Sequence, residues 1–176
     1  MPNYRRAFVP GGCWFFTVNL LDRRQTLLVD HIVALREATA KTLQSRPCIV
    51  DAFVVLPDHL HALWTLPPDD YDFSTRWRLI KSHFSKALPK RERISDIRVA
   101  RKERGIWQRR FWEHLIRDEA DYARHLEYCY INPLKHGLVA RVRDWPHSSF
   151  HRDVRAGIVP ADWAGEAEQT GEFGEW

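Results

Sequence analysis

Cysteine is scarce and scattered. Cys13, Cys48 and Cys129 lie far apart with no CxxC pair, which argues against a zinc ribbon, and an odd, dispersed set reads as reduced thiols in a cytosolic protein. Long apolar runs are missing too. No stretch reaches the roughly 18 residues of a membrane span, and Arg5 and Arg6 precede only a short apolar run, so neither a membrane helix nor a signal region is expected. There is no internal repeat, which excludes a repeat array. An acidic balance is also lacking: the formal net charge is +4 and the isoelectric point about 9.1, which leans towards a polyanionic partner. What remains is 176 residues with ordinary hydrophobic and charged fractions, enough for one domain with a proper core. We expect that domain over residues 1–160 and an acidic tail over 161–176. Eight Trp and nine Phe are many for this length, and such rings serve cores or stack on bases.

Hydrophobic patterning predicts the elements. Cys13 to Leu20 is rich in aromatic and β-branched residues, follows Pro10-Gly11-Gly12, and reads as a first strand. Asp30 is placed to cap a helix running to about Ser45, with Ile32, Leu35, Thr39 and Leu43 on one face. Cys48–Leu56 and His59–Leu66 read as two strands of a hairpin joined at Pro57-Asp58. Asp72 or Ser74 caps a second helix whose stripe is Trp77, Ile80, Phe84 and Leu88, with Arg76, Arg78, Lys81 and Lys86 on the opposite face. Residues 90–105 read as a charged loop with room for a helical turn. Trp107 to Ile116 reads as a fourth strand, and Asp118 caps a third helix that stops at Asn132-Pro133. The order β-α-β-β-α-β followed by a helix and a tail predicts an α+β, ferredoxin-like fold. It has one antiparallel sheet, helices on one face and the other face open to a ligand.

The segment Val54–Leu66 carries the first chemical signal. Alternate residues of a strand share a face, so His59 and His61 can hold one object between them while Leu60, Ala62 and Trp64 face a core. A divalent metal is one such object. Two ligands alone do not make a firm site, and two histidines on a wet face are also what solvated side chains look like. The third helix carries the second signal. At about 100° per residue, Asp121, His125, Tyr128 and Asn132 fall in one sector roughly 60° wide. Tyr122, Leu126 and Tyr130 lie on the broadly opposite side. Taken alone, Tyr128 reads as an ordinary amphipathic tyrosine and Asn132 as a helix-terminal residue before proline.

Together these residues resemble a known family. Pro57-Asp58-His59-Leu60-His61 resembles the His-hydrophobe-His motif of the HUH single-strand nucleases, and Tyr128-Cys129-Tyr130-Ile131-Asn132-Pro133-Leu134-Lys135-His136-Gly137 resembles the tyrosine helix of their single-tyrosine transposase branch. Tyr4-Arg5-Arg6, Gly11-Gly12, Trp14–Asn19 and Asp144-Trp145-Pro146 look like the subgroup of REP-associated tyrosine transposases. The resemblance covers nearly the whole chain, and the two motifs are specific as a pair. It implies the ferredoxin-like fold, His59, His61 and Asn132 as ligands of Mg²⁺ or Mn²⁺, and Tyr128 as the nucleophile. Glutamine often holds the place of Asn132 in relatives; asparagine keeps the amide oxygen but shortens the reach. On softness grounds two imidazoles suit Zn²⁺ or Mn²⁺ better than Mg²⁺. The implied reaction is attack of a tyrosine oxygen on a phosphodiester, giving a 5′-phosphotyrosine and a free 3′-hydroxyl. The implied partner is a single-stranded DNA hairpin, a REP palindrome with a tetranucleotide at its foot. The implied location is the cytoplasm, at the nucleoid. Related transposases often work as dimers that share sites, whereas this subgroup looks monomeric.

Charge is uneven along the chain. Residues 76–117 hold 14 Lys and Arg against 4 Asp and Glu, a balance of +10, which leaves −6 for the remainder. Arg76, Arg78, Lys81, Arg109 and Arg110 are candidate phosphate contacts, and Trp107 and Trp112 candidate stacking rings. His83, His114 and His125 read as structural or solvated. A binding module of the same fold that holds a hairpin without cutting it is the alternative to an enzyme. From Ala161 on, five acidic residues and three aromatics stand without Lys or Arg. Such a tail is either a solubilising end or a mimic of a nucleic-acid strand that competes with DNA.

Overall fold

The computed structural model describes residues 8–90, 100, 104–164 and 173–174. Most of the expected charged loop lies outside these residues, as do five of the 14 basic residues of the 76–117 segment. The elements are β1 (Cys13–Asn19), α1 (Leu27–Asp30), α2 (Ile32–Ser45), β2 (Ile49–Val55), β3 (His59–Thr65), α3 (Phe73–Ala87), β4 (Trp112–Leu115) and α4 (Glu119–Lys135), then a 3₁₀ turn (Val142–Asp144) and α5 (Phe150–Arg155). The four strands form one antiparallel sheet in the order β2-β3-β1-β4, the ferredoxin-like arrangement that the α+β pattern predicts.

Alternation along β1 and β3 sorts side chains to two faces. Trp14, Phe16 and Val18 of β1 join Leu60, Ala62 and Trp64 of β3 on the first face, under α2 and α3. Trp77 of α3 stacks on Trp64 with ring centroids 4.2 Å apart. The stripe read in the sequence, Trp77, Ile80, Phe84 and Leu88, is buried there. α3 starts where Asp72 accepts the backbone N–H of Thr75 at 2.9 Å. Arg76 does not join the basic outer face of that helix. Its guanidinium is buried and donates to the carbonyls of Arg46, Pro47 and Asp72 and to the carboxylate of Asp70. It braces α3 to the end of α2.

The second face is not open, contrary to expectation. α4, the 3₁₀ turn and α5 close over it, burying Phe15, Ala52, Val54 and Leu63 against Tyr128, Tyr130 and Phe150. Both stripes of α4 are therefore covered, one by the sheet and one by α5. A bulge between Val50 and Ala52 in β2 frees Asp51, which accepts from Thr65 at 2.8 Å and from Tyr122 of α4 at 3.2 Å. The outer edge of β2 is sealed by residues 145–149: His147 O accepts from Val55, Phe53 O from Ser149, and Trp145 donates to Val55 O.

Three boundaries differ from the sequence reading. Asp30 does not cap α2; it ends the one-turn α1, where its carboxylate takes the hydroxyl of Thr26 at 2.6 Å. The fourth strand shrinks to Trp112–Leu115, because before it only Trp107 bridges, to Leu20. α4 begins as expected, with Asp118 accepting from Asp121 N at 2.8 Å, but it does not stop at Asn132-Pro133. It runs through Pro133 to Lys135. It ends in a Schellman turn at Gly137, φ +68°, with Gly137 N bonded to Leu134 O and Leu138 N to Pro133 O. Proline lacks an N–H, but so close to the terminus it removes only one bond before the glycine turn.

Candidate active site

The site lies between the middle strands and α4. Strand register sets Thr17 beside His61 and Asn19 beside His59 on the second face. Both histidines are buried rather than solvated, and their ring centroids are 5.0 Å apart. The His61 Nδ1 lies 2.9 Å from the Thr17 hydroxyl, and that hydroxyl donates to Phe173 O, so it accepts from His61 Nδ1–H. The His59 Nδ1 lies 2.7 Å from the Asp58 carboxylate. Arg23 donates to Asp58 and, at 3.0 Å, to Asn19 Oδ1. Arg23 Nη2 also lies 3.3 Å from His59 Nδ1, but a nitrogen that donates to a carboxylate at 2.7 Å cannot accept from a guanidinium. Both rings are thus oriented through Nδ1, which leaves Nε2 as the nitrogen that could hold a metal, an arrangement that metal-binding histidines share. Burial alone would raise the Asp58 carboxyl, but the bonds from His59 and Arg23 outweigh it and hold its pKa at about 2.

α4 lays its polar face on this pair. Tyr128 meets His61 edge-on at 5.3 Å, and His136, two turns further, meets His59 at 5.1 Å. Asn132 sits midway between them on the same face and is fully buried. The His59 Nε2 and Asn132 Oδ1 atoms are both buried here, and two imidazole nitrogens with an amide oxygen are a donor set that suits a divalent cation. Lys135 donates to the Tyr128 hydroxyl at 3.2 Å, with its ammonium 4.6 Å from the ring centroid. Tyr130 points to the opposite side, where its hydroxyl bonds the Asp153 carboxylate; burial and that carboxylate push its pKa far up. Two nearby tyrosines therefore have opposite surroundings: a cation at one hydroxyl, an anion at the other.

The face bearing Tyr128 is not exposed. Phe173 stacks on the Tyr128 ring at 3.6 Å with planes 9° apart, and also packs on His125 and Phe15. Gly174, φ +72°, lies so close to Trp112 that a Cβ there would stand 2.4 Å from that side chain. His125 is buried as well, not solvated. It belongs to a cluster with His114 and Asp121 whose potential ligand atoms lie within 4.8 Å of one another. That geometry could hold a metal, but Arg117 and Arg124 already contact the Asp121 carboxylate and oppose a second cation. The cluster works as a charge network at the start of α4.

The expected nucleic-acid contacts separate into two groups. Arg78, Arg109 and Arg110 are exposed. Arg76 is structural, and Lys81 is drawn inward, donating to Gln108 O at 3.0 Å beneath Trp107 and Phe111, with burial lowering its pKa to about 8. Trp107 packs on Phe84 at 5.4 Å, and Trp112 stacks on His114 and lies under Gly174. Neither indole is an open platform. Sequence reasoning passed over Thr17, Arg23, Asp58, Lys135 and His136. The last two stand one helical turn beyond an expected stop, and His136 is four residues after Asn132, a spacing that would have found it.

No family model matches the chain. Among curated proteins it is 50% identical over 166 residues to the REP-associated tyrosine transposase of Escherichia coli, covering 94% of this chain and 93% of that one. It is 49% identical over 169 residues to a protein of Haemophilus influenzae under the same family name, covering 96% of each. A solved structure of a REP-associated tyrosine transposase bound to a REP hairpin superposes with a TM-score of 0.86 at 48% identity, over all of this chain and 98% of that one. Identity at this level over nearly the full length, on the fold and motifs described above, establishes that the chain belongs to the family of REP-associated tyrosine transposases.

Proposed function

We propose that the chain cuts and rejoins single-stranded DNA at the foot of a REP-type hairpin, with Tyr128 as the nucleophile. The observation that carries this reading is the contrast between the two tyrosines. Tyr128 stands against His61 with the Lys135 ammonium at its hydroxyl, whereas Tyr130 is tied to Asp153. A phenol has a pKa near 10, and a neighbouring cation favours its ionised form. The phenolate oxygen attacks the scissile phosphorus in line, the P–O3′ bond breaks, and O3′ takes up a proton. The products are a 5′-phosphotyrosine and a free 3′-hydroxyl. Because the phosphodiester energy is kept in the covalent bond, the reverse attack rejoins a strand without ATP.

His59, His61 and Asn132 would hold Mg²⁺ or Mn²⁺, which when bound supplies charge neutralisation at the scissile phosphate and fixes its orientation. Asp58 and Thr17 hold the two rings in the ligating tautomer. Arg78, Arg109 and Arg110 are the exposed cations we assign to the phosphate backbone. A single chain brings Tyr128 and the histidine pair together, so the reading needs no second copy. No helix among the described residues is long and apolar enough to cross a membrane. We place the enzyme in the cytoplasm because its proposed substrate is chromosomal DNA.

The covered state of Tyr128 is what a module that binds hairpins without cutting them would also present, and one experiment separates the two. A labelled single strand carrying the hairpin and its foot is incubated with the protein and Mn²⁺, then run under denaturing conditions. The enzyme reading expects a covalent protein–DNA band that is lost with Tyr128→Phe or chelator and kept with Tyr130→Phe. Hairpin binding with no such band would leave the binding module; a band dependent on Tyr130 would overturn the assignment of the nucleophile.

A further inference from the structure

Sealing the β2 edge creates a second feature, away from the histidine pair. A cavity of about 450 Å³ opens between α2, the 3₁₀ turn and α5, lined by Arg36, Arg143, Arg152, Arg155 and His151. These arginines come from three elements, so no run of charge in the sequence announces them, and they lie in the part of the chain whose summed charge is negative. The Arg152 guanidinium is fixed in the wall by the carbonyls of Val50 and Asp51 and by Asp153. Asp144, also in the lining, is held by Arg141 through two bonds at 2.8 and 3.2 Å. Arg36, Arg143 and Arg155 are exposed, and among the described residues they form no hydrogen bond and no ion pair. Asp144 offsets part of the Arg143 charge, but four arginines around one carboxylate leave the concavity with a positive balance that an anionic ligand would complement.

We propose that this trough is a second DNA-anchoring site, which takes the phosphodiester backbone of the hairpin's duplex stem. The side chains decide the class of ligand. A site for one small anion uses fixed donors, whereas these three are long, exposed side chains that suit a line of phosphates. Single-strand sites add aromatic platforms, and among the described residues no Phe, Tyr or Trp lines this cavity. Duplex backbone meets both conditions. The site rests on the reading of the chain as a hairpin-processing enzyme, and it gives that enzyme a grip on the stem that is independent of the cleavage chemistry.

The test uses the full chain and two DNAs: a hairpin with a long stem, and the same cleavage-site strand without the stem. Arg36→Gln, Arg143→Gln and Arg155→Gln are combined in one variant, and the three Arg→Lys changes in another. Stem-hairpin affinity of the Gln variant should fall at least about tenfold, and the slope of log K against log salt should drop by about 2–3. Its binding to the stemless strand should match wild type, and the Lys variant should keep the wild-type slope. Melting curves of both variants should coincide with wild type, since the three side chains are exposed. An unchanged stem-hairpin affinity, or an equal loss on both DNAs, overturns the trough. Wild-type protein that forms no covalent adduct overturns the proposed chemistry but leaves the stem-dependent difference readable; wild-type protein that binds neither DNA overturns both.

Discussion

At the residue scale, Asp58 shows how a turn residue becomes part of a site. Its position after Pro57 suits a tight connection, and the histidine motif that includes it gives it no role of its own. In the fold it orients His59 and is itself clamped by Arg23, which reaches on to Asn19. Outer partners of this kind are typically worth 10–100-fold in metal affinity. We therefore expect Asp58→Asn to weaken Mn²⁺ binding by roughly that factor, measured by titration of the protein without DNA, with little change in melting temperature. Equal Mn²⁺ affinity in the variant would mean that Asp58 serves the turn alone. The same scale explains what misled the sequence reading. His59, His61, Tyr128 and Asn132 were legible because spacing fixes which face a residue takes. Whether that face is wet depends on a partner element, so burial was missed. Arg76 and Trp107 were assigned to DNA for the same reason: residue type suggests a surface role, and only packing shows that one braces a helix and the other fills a core.

At the element scale, α4 brings the site together, and Asp121 anchors its first turn. Its buried carboxylate accepts from His114 and from the Arg117 backbone N–H, and pairs with Arg124. Burial alone would raise this carboxyl, but those bonds outweigh it and hold it well below the usual carboxylate range. A carboxylate depressed in the folded state contributes stability that is fully present above its unfolded pKa, about 4, and is lost as pH falls towards the folded value. Asp121→Asn should therefore cost about 3 kcal/mol near neutral pH, and its stability should fall less steeply than wild type below about pH 4. Denaturant melts at neutral and acid pH would show it; parallel acid profiles would mean that another group carries the acid sensitivity. The start of α4 was readable because Asp118 and Asp121 form a capping pattern. Its end was not, because a proline usually stops a helix and the Schellman turn at Gly137 depends on backbone geometry that composition only hints at. That extra turn carries Lys135 and His136 to the site.

At the scale of the whole molecule, the acidic tail returns to the site. Phe173 occupies the ring face of Tyr128, its carbonyl takes the Thr17 hydroxyl, and Gly174 rests on Trp112. The sequence leaves the tail as either a solubilising end or a strand mimic drawn to the basic segment; Phe173 lies instead on the tyrosine itself. On the proposed chemistry a scissile phosphate approaches the Tyr128 hydroxyl, and a ring stacked on that side chain competes for the space around it. A tethered segment acts at an effective concentration of roughly millimolar, so even a weak contact competes when DNA is scarce and yields when DNA is abundant. Trp163 complicates a simple truncation, because it packs on Tyr130 and Phe150 and its removal exposes core. The cleaner change ends the chain after Ala164, keeping Trp163 and removing Phe173. We expect this truncation to raise the rate of covalent adduct formation at low hairpin concentration, with the gain shrinking as hairpin approaches saturation and the melting temperature close to wild type. Phe173→Ala in the full chain should give part of the same effect, since it removes the stacked ring but leaves the backbone carbonyl that Thr17 engages. Adduct formation at the wild-type rate in both variants, with the fold intact, would assign Phe173 to packing alone.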